Sequence, residues 1–270
     1  MSDTDDLAEM AYAFSALRAP ILRGAIQAMQ PPAGSRGLDA GCGLGLQALQ
    51  LAKTVGAAGH VTGLDLSPEL LANAVEIATQ AGLSARTCFQ EGDINNLPFD
   101  DDTFDWAWSM DCVGYAPIEP LPLVKELVRV VKPDGSVAIL AWSSEKLLPG
   151  YPLLEARLNA TSAGIAPFVV GMEPAAHFLR GLGWFRAAGL TSPVARTFVA
   201  DVHSPLSNEL RKALLTLFQM RWPGVASELT REYRAAYQRL CLPASPDFIL
   251  DHPGYYAFFT YSMFHGTFSR

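Results

Sequence analysis

Residues 39–45 read Asp-Ala-Gly-Cys-Gly-Leu-Gly and join a short apolar run, 36–39, to a helical stretch, 47–54. This junction constrains the fold more than any other feature of the chain. Glycine adopts left-handed backbone readily and lets a chain pass close to a ligand. A helix that starts just beyond it presents unpaired N–H groups. The strand-then-helix order repeats downstream. His60–Asp65 reads as a second strand, followed by Ser67 as helix cap and Pro68 at the first helical position. Leu70, Ala74, Ile77, Ala78 and Ala81 share one helical face, and Gly82 stops the helix. Strands are expected at Thr87–Glu91 and 104–109. Val124, Leu127, Val128 and Val131 form the next helical stripe, closed by Lys132-Pro133-Asp134-Gly135 with Lys132 in the last turn. Residues 136–142 are a continuous apolar strand of the kind covered on both faces. The pattern predicts a doubly wound, Rossmann-like α/β sheet of parallel strands with right-handed crossovers.

The second half loses this rhythm. Residues 143–172 show no periodic element, 173–189 look helical and 191–202 look like a strand. Leu206, Leu210, Ala213, Leu214, Leu217 and Phe218 make one helical stripe, and Val225, Leu229, Tyr233, Ala236 and Leu240 another. An aromatic run from Tyr255 to Phe264 suits a buried strand.

Composition limits the partners. The 270 residues carry 20 Lys+Arg against 27 Asp+Glu, a net charge of −7, and 50% of them are hydrophobic while 17% are charged. That excludes intrinsic disorder and argues against nucleic acid, whose phosphates need a basic footprint. No apolar run approaches the roughly 20 residues of a membrane span. The acidic start, Met1-Ser2-Asp3, is unlike a secretory signal. Four scattered cysteines (Cys42, Cys88, Cys112, Cys241) have no metal-ligand spacing, so no metal and a reduced cytoplasmic setting are expected.

The glycine turn and its surroundings narrow the ligand. Asp65 ends the second strand about 20 residues beyond Gly45, where an acid typically hydrogen-bonds a ribose hydroxyl. Turn and acid together favour a nucleoside-type ligand over a mere tight bend. The glycines at 41, 43 and 45 depart from the G-x-G-x-x-G of dinucleotide sites, and no P-loop lysine follows. Asp39 suits a ligand bearing a cation and would repel a pyrophosphate. An NAD-dependent oxidoreductase is therefore the weaker alternative.

Residues 36–142 resemble the class I S-adenosylmethionine-dependent methyltransferases, close to the small-molecule group of ubiquinone and menaquinone biosynthesis. The resemblance rests on Leu38-Asp39-Ala40-Gly41-Cys42-Gly43-Leu44-Gly45, on Val61-Thr62-Gly63-Leu64-Asp65-Leu66-Ser67, and on Gly92-Asp93-Ile94 with Leu97-Pro98-Phe99 and Phe104-Asp105. It continues through residues 127–135, Leu-Val-Arg-Val-Val-Lys-Pro-Asp-Gly. It implies S-adenosylmethionine as cofactor and S-adenosylhomocysteine as product. By this resemblance Gly41, Cys42, Gly43, Gly45 and Ser109 lie along the methionine moiety, with Asp39 near its amino group. Asp65 would take the ribose hydroxyls and Leu66 the adenine face. Asp93 would meet the adenine amino group, and Ile94 would cover the ring. Tyr12 and Arg18, in an N-terminal helical stretch, are candidates to close over the cofactor carboxylate.

The resemblance also orders the tail: residues 1–35 a helical lid, 36–142 the cofactor core, 173–203 and 254–270 the completion of a seven-stranded sheet. Its last strand would be antiparallel, inserted beside the fifth. Residues 143–172 and 204–253 would be substrate-side additions, their apolar side chains pointing to a small, largely apolar methyl acceptor. Asp111 and Tyr115, after the fourth strand, are the candidate catalytic contacts, with a purely structural role open for each. Many relatives carry a His pair near Gly114-Tyr115 that this chain lacks, so no histidine base is carried over. His177 and His203 either face the acceptor or cap local backbone. Cys42 reads as a packed small residue. A protein that binds the cofactor without transferring the methyl group is the other alternative.

Overall fold

A computed structural model describes residues 3–113, 119–169 and 173–269; of residues 3–11, 13 and 166–169 it describes the backbone alone. The helices are α1 Asp3–Met29, α2 Leu46–Val55, α3 Pro68–Gln80, α4 Pro120–Arg129, α5 Pro152–Asn159, α6 Ser162–Val169, α7 Gly181–Ala187, α8 Asn208–Arg221 and α9 Arg231–Cys241. The strands are β1 Arg36–Ala40, β2 His60–Asp65, β3 Thr87–Glu91, β4 Phe104–Met110, β5 Val131–Lys146, β6 Leu190–His203 and β7 Tyr256–Phe268. They form one seven-stranded sheet in the order β3-β2-β1-β4-β5-β7-β6. The first five strands are parallel, and β7 lies antiparallel between β5 and β6. The doubly wound class and the inserted last strand are as expected.

Alternation along β5 explains the two-sided core. Ala138 and Leu140 face one cluster, with Trp106, Trp108, Leu17 and Ile21. Val137, Ile139 and Ala141 face the other, with Leu38, Val124, Leu127 and Phe264. Each such fully buried large apolar side chain contributes about 1.5–3 kcal/mol.

Local chemistry sets the ends of α3. The Ser67 hydroxyl accepts from the Leu70 N–H, and Pro68 opens the first turn. The buried face is Leu71, Ala74 and Ala78, one position off the expected Leu70, while Ala81 is the exposed cap.

Four expectations need correction. The α4 helix ends at Arg129, so Val131 and Lys132 belong to β5. The pairing of β5 with β4 shifts between Val131 and Ser136, and Asp134 turns left-handed within that bulge. The segment expected to be aperiodic, 143–172, is ordered over its described residues 143–169: β5 runs on to Lys146, and α5 and α6 follow, each too short to show a repeating pattern. Within 173–189 only α7 is α-helical, because Pro174 and the His177 cap break the segment into two 3₁₀ turns. Of the last stripe, only Tyr233, Ala236 and Leu240 lie on α9; Thr230 caps that helix behind Leu229.

Strand directions bring the chain to one edge. The first five strands and β6 end at the carboxyl edge of the sheet, and β7 begins there, so the segment between β6 and β7 leaves and returns at that edge. A buried ion pair ties this segment down. The Arg221 Nε donates to Glu145 Oε1 at 2.9 Å, with side-chain exposures of 8% and 3%. Glu145 Oε2 takes the Trp142 indole N–H, and Arg221 reaches the Gly164 carbonyl at 2.8 Å. Among the described residues no helix is long and apolar enough to cross a membrane.

Candidate functional site

The glycine turn closes the carboxyl end of β1, which lies mid-sheet between β2 and β4. Gly41 and Cys42 both donate to the Leu64 carbonyl, at 2.7 and 2.9 Å. Gly41 has φ +78°, and a Cβ there would sit 2.1 Å from Cys112 Sγ, so glycine is required by the close approach of the segment after β4. Gly43 has φ +52° and open space where a side chain would be. Gly45, also left-handed, leads into α2.

Asp65, half-buried at the end of β2, staples the turn. Its Oδ2 accepts from the Gly43 N–H at 2.8 Å and its Oδ1 from the Ser67 N–H at 3.1 Å. Each oxygen retains acceptor capacity for a ligand. Leu66 beside it is 64% exposed. Asp93 lies half-buried past β3; its Oδ1 accepts from the Asn95 backbone and side chain, and Ile94 packs on the core cluster of the α4 face.

Asp39 is only 1% exposed, and its Oδ2 has no hydrogen-bond partner. Burial raises the carboxyl, the Ala48 N–H in α2 lowers it and the charge of Asp65 raises it again, leaving it at about 7. An unpartnered buried carboxylate oxygen is costly. It suits a cation that arrives with a ligand.

The end of β4 carries a second cluster. The Ser109 hydroxyl is buried and donates to the Ala40 carbonyl at 2.8 Å, which locks β4 to the turn. Asp111 adopts φ +58°, an uncommon conformation for a non-glycine residue. Its Oδ2 accepts from Arg18 Nη1 and from the Tyr261 hydroxyl, each at 2.9 Å. Thus α1, β4 and β7 meet on one oxygen. Burial and the neighbouring Asp111 push the Tyr261 phenol well above its ordinary range. Trp142 stacks on Phe259 with ring centres 4.7 Å apart and meets Tyr261 edge-on at 5.6 Å.

Sequence reasoning missed Tyr261. The available signal was a phenol within an aromatic run expected to be buried, whose hydroxyl must find a partner there. Tyr12, earlier on α1 than Arg18, is 57% exposed. Tyr115 lies outside the described residues. His177 caps its own turn by accepting from the Leu179 N–H, and His203 pairs with the Ser204 carbonyl. Burial raises both thiols near the turn, Cys42 and Cys112, the latter up to about 12, so neither is a ready nucleophile.

The family described as a methyltransferase domain matches residues 38–135. A 2-phytyl-1,4-naphtoquinone methyltransferase from Nostoc punctiforme is 33% identical over 191 residues, 67% of this chain and 80% of that protein. The chain belongs to the class I S-adenosylmethionine-dependent methyltransferases. A tocopherol O-methyltransferase from Arabidopsis thaliana is 36% identical over 118 residues, which are 44% of this methyltransferase and 33% of that longer protein. The solved structure of a SAM-dependent methyltransferase from Aquifex aeolicus shares the fold, with TM-score 0.52 and 22% identity over 73% of this chain and 91% of that one. The cofactor of this methyltransferase is S-adenosylmethionine, and the residues present fit it. An orphaned carboxylate oxygen faces the need of an ammonium group, open backbone lies at Gly43, and an exposed apolar side chain stands beside the Asp65 acid.

Proposed function

We propose that this methyltransferase methylates a small, largely apolar organic acceptor by in-line displacement. The observation that carries the reading is the unpartnered Oδ2 of buried Asp39, set beside a glycine turn open at Gly43 and stapled by Asp65. In this reading Asp39 holds the amino group of the cofactor, Asp65 its ribose hydroxyls, and Leu66 and Ile94 its adenine, with Asp93 at the adenine amino group. The turn of Gly41, Cys42, Gly43 and Gly45, locked by Ser109, lies along the methionine moiety.

Bound S-adenosylmethionine supplies an electrophilic sulfonium methyl group. The chain's own task is then to align the acceptor and exclude water. Asp111 stands where the acceptor would lie, pinned by Arg18 and Tyr261, and acts as a hydrogen-bond acceptor that orients it; Tyr115 is the other candidate contact. The aromatic group of Trp142, Phe259 and Tyr261 supports an apolar acceptor. So do the quinone and tocopherol named for the relatives. In this reading α1, α5, α6 and the segment between β6 and β7 form the cover over it. Free cysteines at positions 42, 88, 112 and 241 support a cytoplasmic setting, and the acidic balance speaks against a nucleic-acid partner.

Calorimetry with S-adenosylhomocysteine and with NAD tests the cofactor: binding of the first alone is expected, and no heat with it overturns the reading. Methyl-labelled cofactor offered to a panel of apolar phenols, quinols and amines tests transfer. Label on none of a broad panel would favour a protein that binds the cofactor without turnover.

A further inference from the structure

A groove of about 460 Å³ runs between α1 and α2, within the size range of small-molecule pockets. Ala16 and Ala19 on α1 leave the space, and Leu22, Leu46, Leu49 and Met110 make its floor apolar. Its upper end is at Met110 and Arg18, beside Asp111 and the carboxyl edge. Arg23 and Lys53 line it further down, both exposed. Neither is in an ion pair among the described residues. Glu209 also lines the groove, so these three groups leave one net positive charge in a chain of net −7. At 1.5 Å per helical residue, the steps from Arg18 to Arg23 and from Leu46 to Lys53 place the cations about 8–10 Å below the upper end.

We propose that this groove binds the anionic group of an elongated, otherwise apolar acceptor, a carboxylate or a phosphate held by Arg23 and Lys53 while the reacting end reaches Asp111. The inference rests on the methyltransferase reading for the word acceptor; binding of an acidic amphiphile stands without it. An apolar floor with two uncommitted cations at its far end fits a tail with an acidic terminus. A neutral tail would leave both cations idle, and a cationic one would be repelled. Lys53 also sits in the last turn of α2, where a cation complements the helix dipole. Arg23 lies in the interior of α1, away from any helix end.

The test is calorimetric titration of the full chain with decanoate, decyl phosphate, decanol and decyltrimethylammonium, repeated on the R23E/K53E double variant. Saturable binding of the two anions, at least tenfold tighter than decanol or the ammonium, is expected. The double variant should lose that preference, while its affinity for S-adenosylhomocysteine stays unchanged. Decyl phosphate against decanoate separates the two anion sources. Equal binding of decanol and the anions, or anion affinity unmoved in the double variant, overturns the proposal. A second variant, Ala19→Met, keeps every charge and fills the groove; it should weaken all anionic probes, and unchanged binding places them elsewhere and also overturns it. Absence of S-adenosylhomocysteine binding would instead strike the methyltransferase reading, since the amphiphile titrations use no cofactor.

Discussion

Asp39→Asn isolates the charge on which the cofactor reading depends. The wild-type carboxyl titrates at about 7 rather than at its ordinary 3.8, chiefly because it is buried. Its folded pKa is thus above its unfolded one, so between those values the folded state binds more protons. The stability it lends is complete below pH 4 and is lost as pH rises through about 7, a change of about 4 kcal/mol. A ligand ammonium at Oδ2 reverses the preference, because it needs the ionised form. Only about one carboxyl in a hundred is ionised at pH 5, so affinity for S-adenosylhomocysteine should be ~100-fold weaker there than at pH 8, falling a decade per pH unit below 7. Calorimetry from pH 5 to 8.5, in buffers of different ionisation enthalpy, reads both the slope and the proton released on binding. In the Asp39→Asn variant the slope should vanish. Affinity at pH 8 should drop by about 1.5–3 kcal/mol, the value of a hydrogen bond to a charged group. Thermal melts of the ligand-free variant should also lose the wild-type decline between pH 4 and 7. Wild-type affinity constant within threefold over this range, or the variant keeping the wild-type slope, refutes the assignment.

Three further outcomes follow from contacts in the fold. Gly41→Ala drives a Cβ onto Cys112 Sγ in a left-handed position and should cost about 1–3 kcal/mol in urea unfolding; adding Cys112→Gly should recover part of it, and no recovery would remove that contact as the cause. Tyr261→Phe deletes one of the two donors to Asp111 Oδ2 and should cost about 1–2 kcal/mol, with labelled-methyl transfer reduced more than S-adenosylhomocysteine affinity. Arg221→Met leaves Glu145 buried without its ion-pair partner and should cost about 3–5 kcal/mol; a loss under 1 kcal/mol would show that Glu145 is neutral or hydrated.

What the chain reveals locally depends on how far apart the partners lie. The turn from Asp39 to Gly45, the acid at Asp65 and the cap at Ser67 each act within a few residues or at a strand end, so spacing alone exposes them. The ends of α4 and α7 differ from the spacing because a bulge in β5 and a histidine cap depend on pairing and local bonding that spacing does not encode. The Asp111 cluster joins residues 93 and 150 positions apart, and no sequence window contains it. Hydrophobic pattern placed Tyr261 on a buried strand correctly. The partner of its hydroxyl could be found only once β4 and β7 were brought to one edge.

Two carboxylates at that edge, Asp39 and Asp111, are treated oppositely, and the contrast bears on how a cationic cofactor is held. Asp111 has its Oδ2 satisfied by Arg18 and Tyr261, so its negative charge is already balanced by the protein. Asp39 has a partnerless oxygen and, among the described residues, no cation beside it, so it pays its desolvation in part by staying protonated near neutral pH. A ligand with a positive group therefore gains most at Asp39, where its charge replaces a missing partner, and little at Asp111, where it would have to compete with Arg18. In the proposed reading this arrangement directs the cation toward the glycine turn. It leaves the space beside Asp111 electrically quiet, the condition under which an apolar acceptor can approach without losing solvation of a charge.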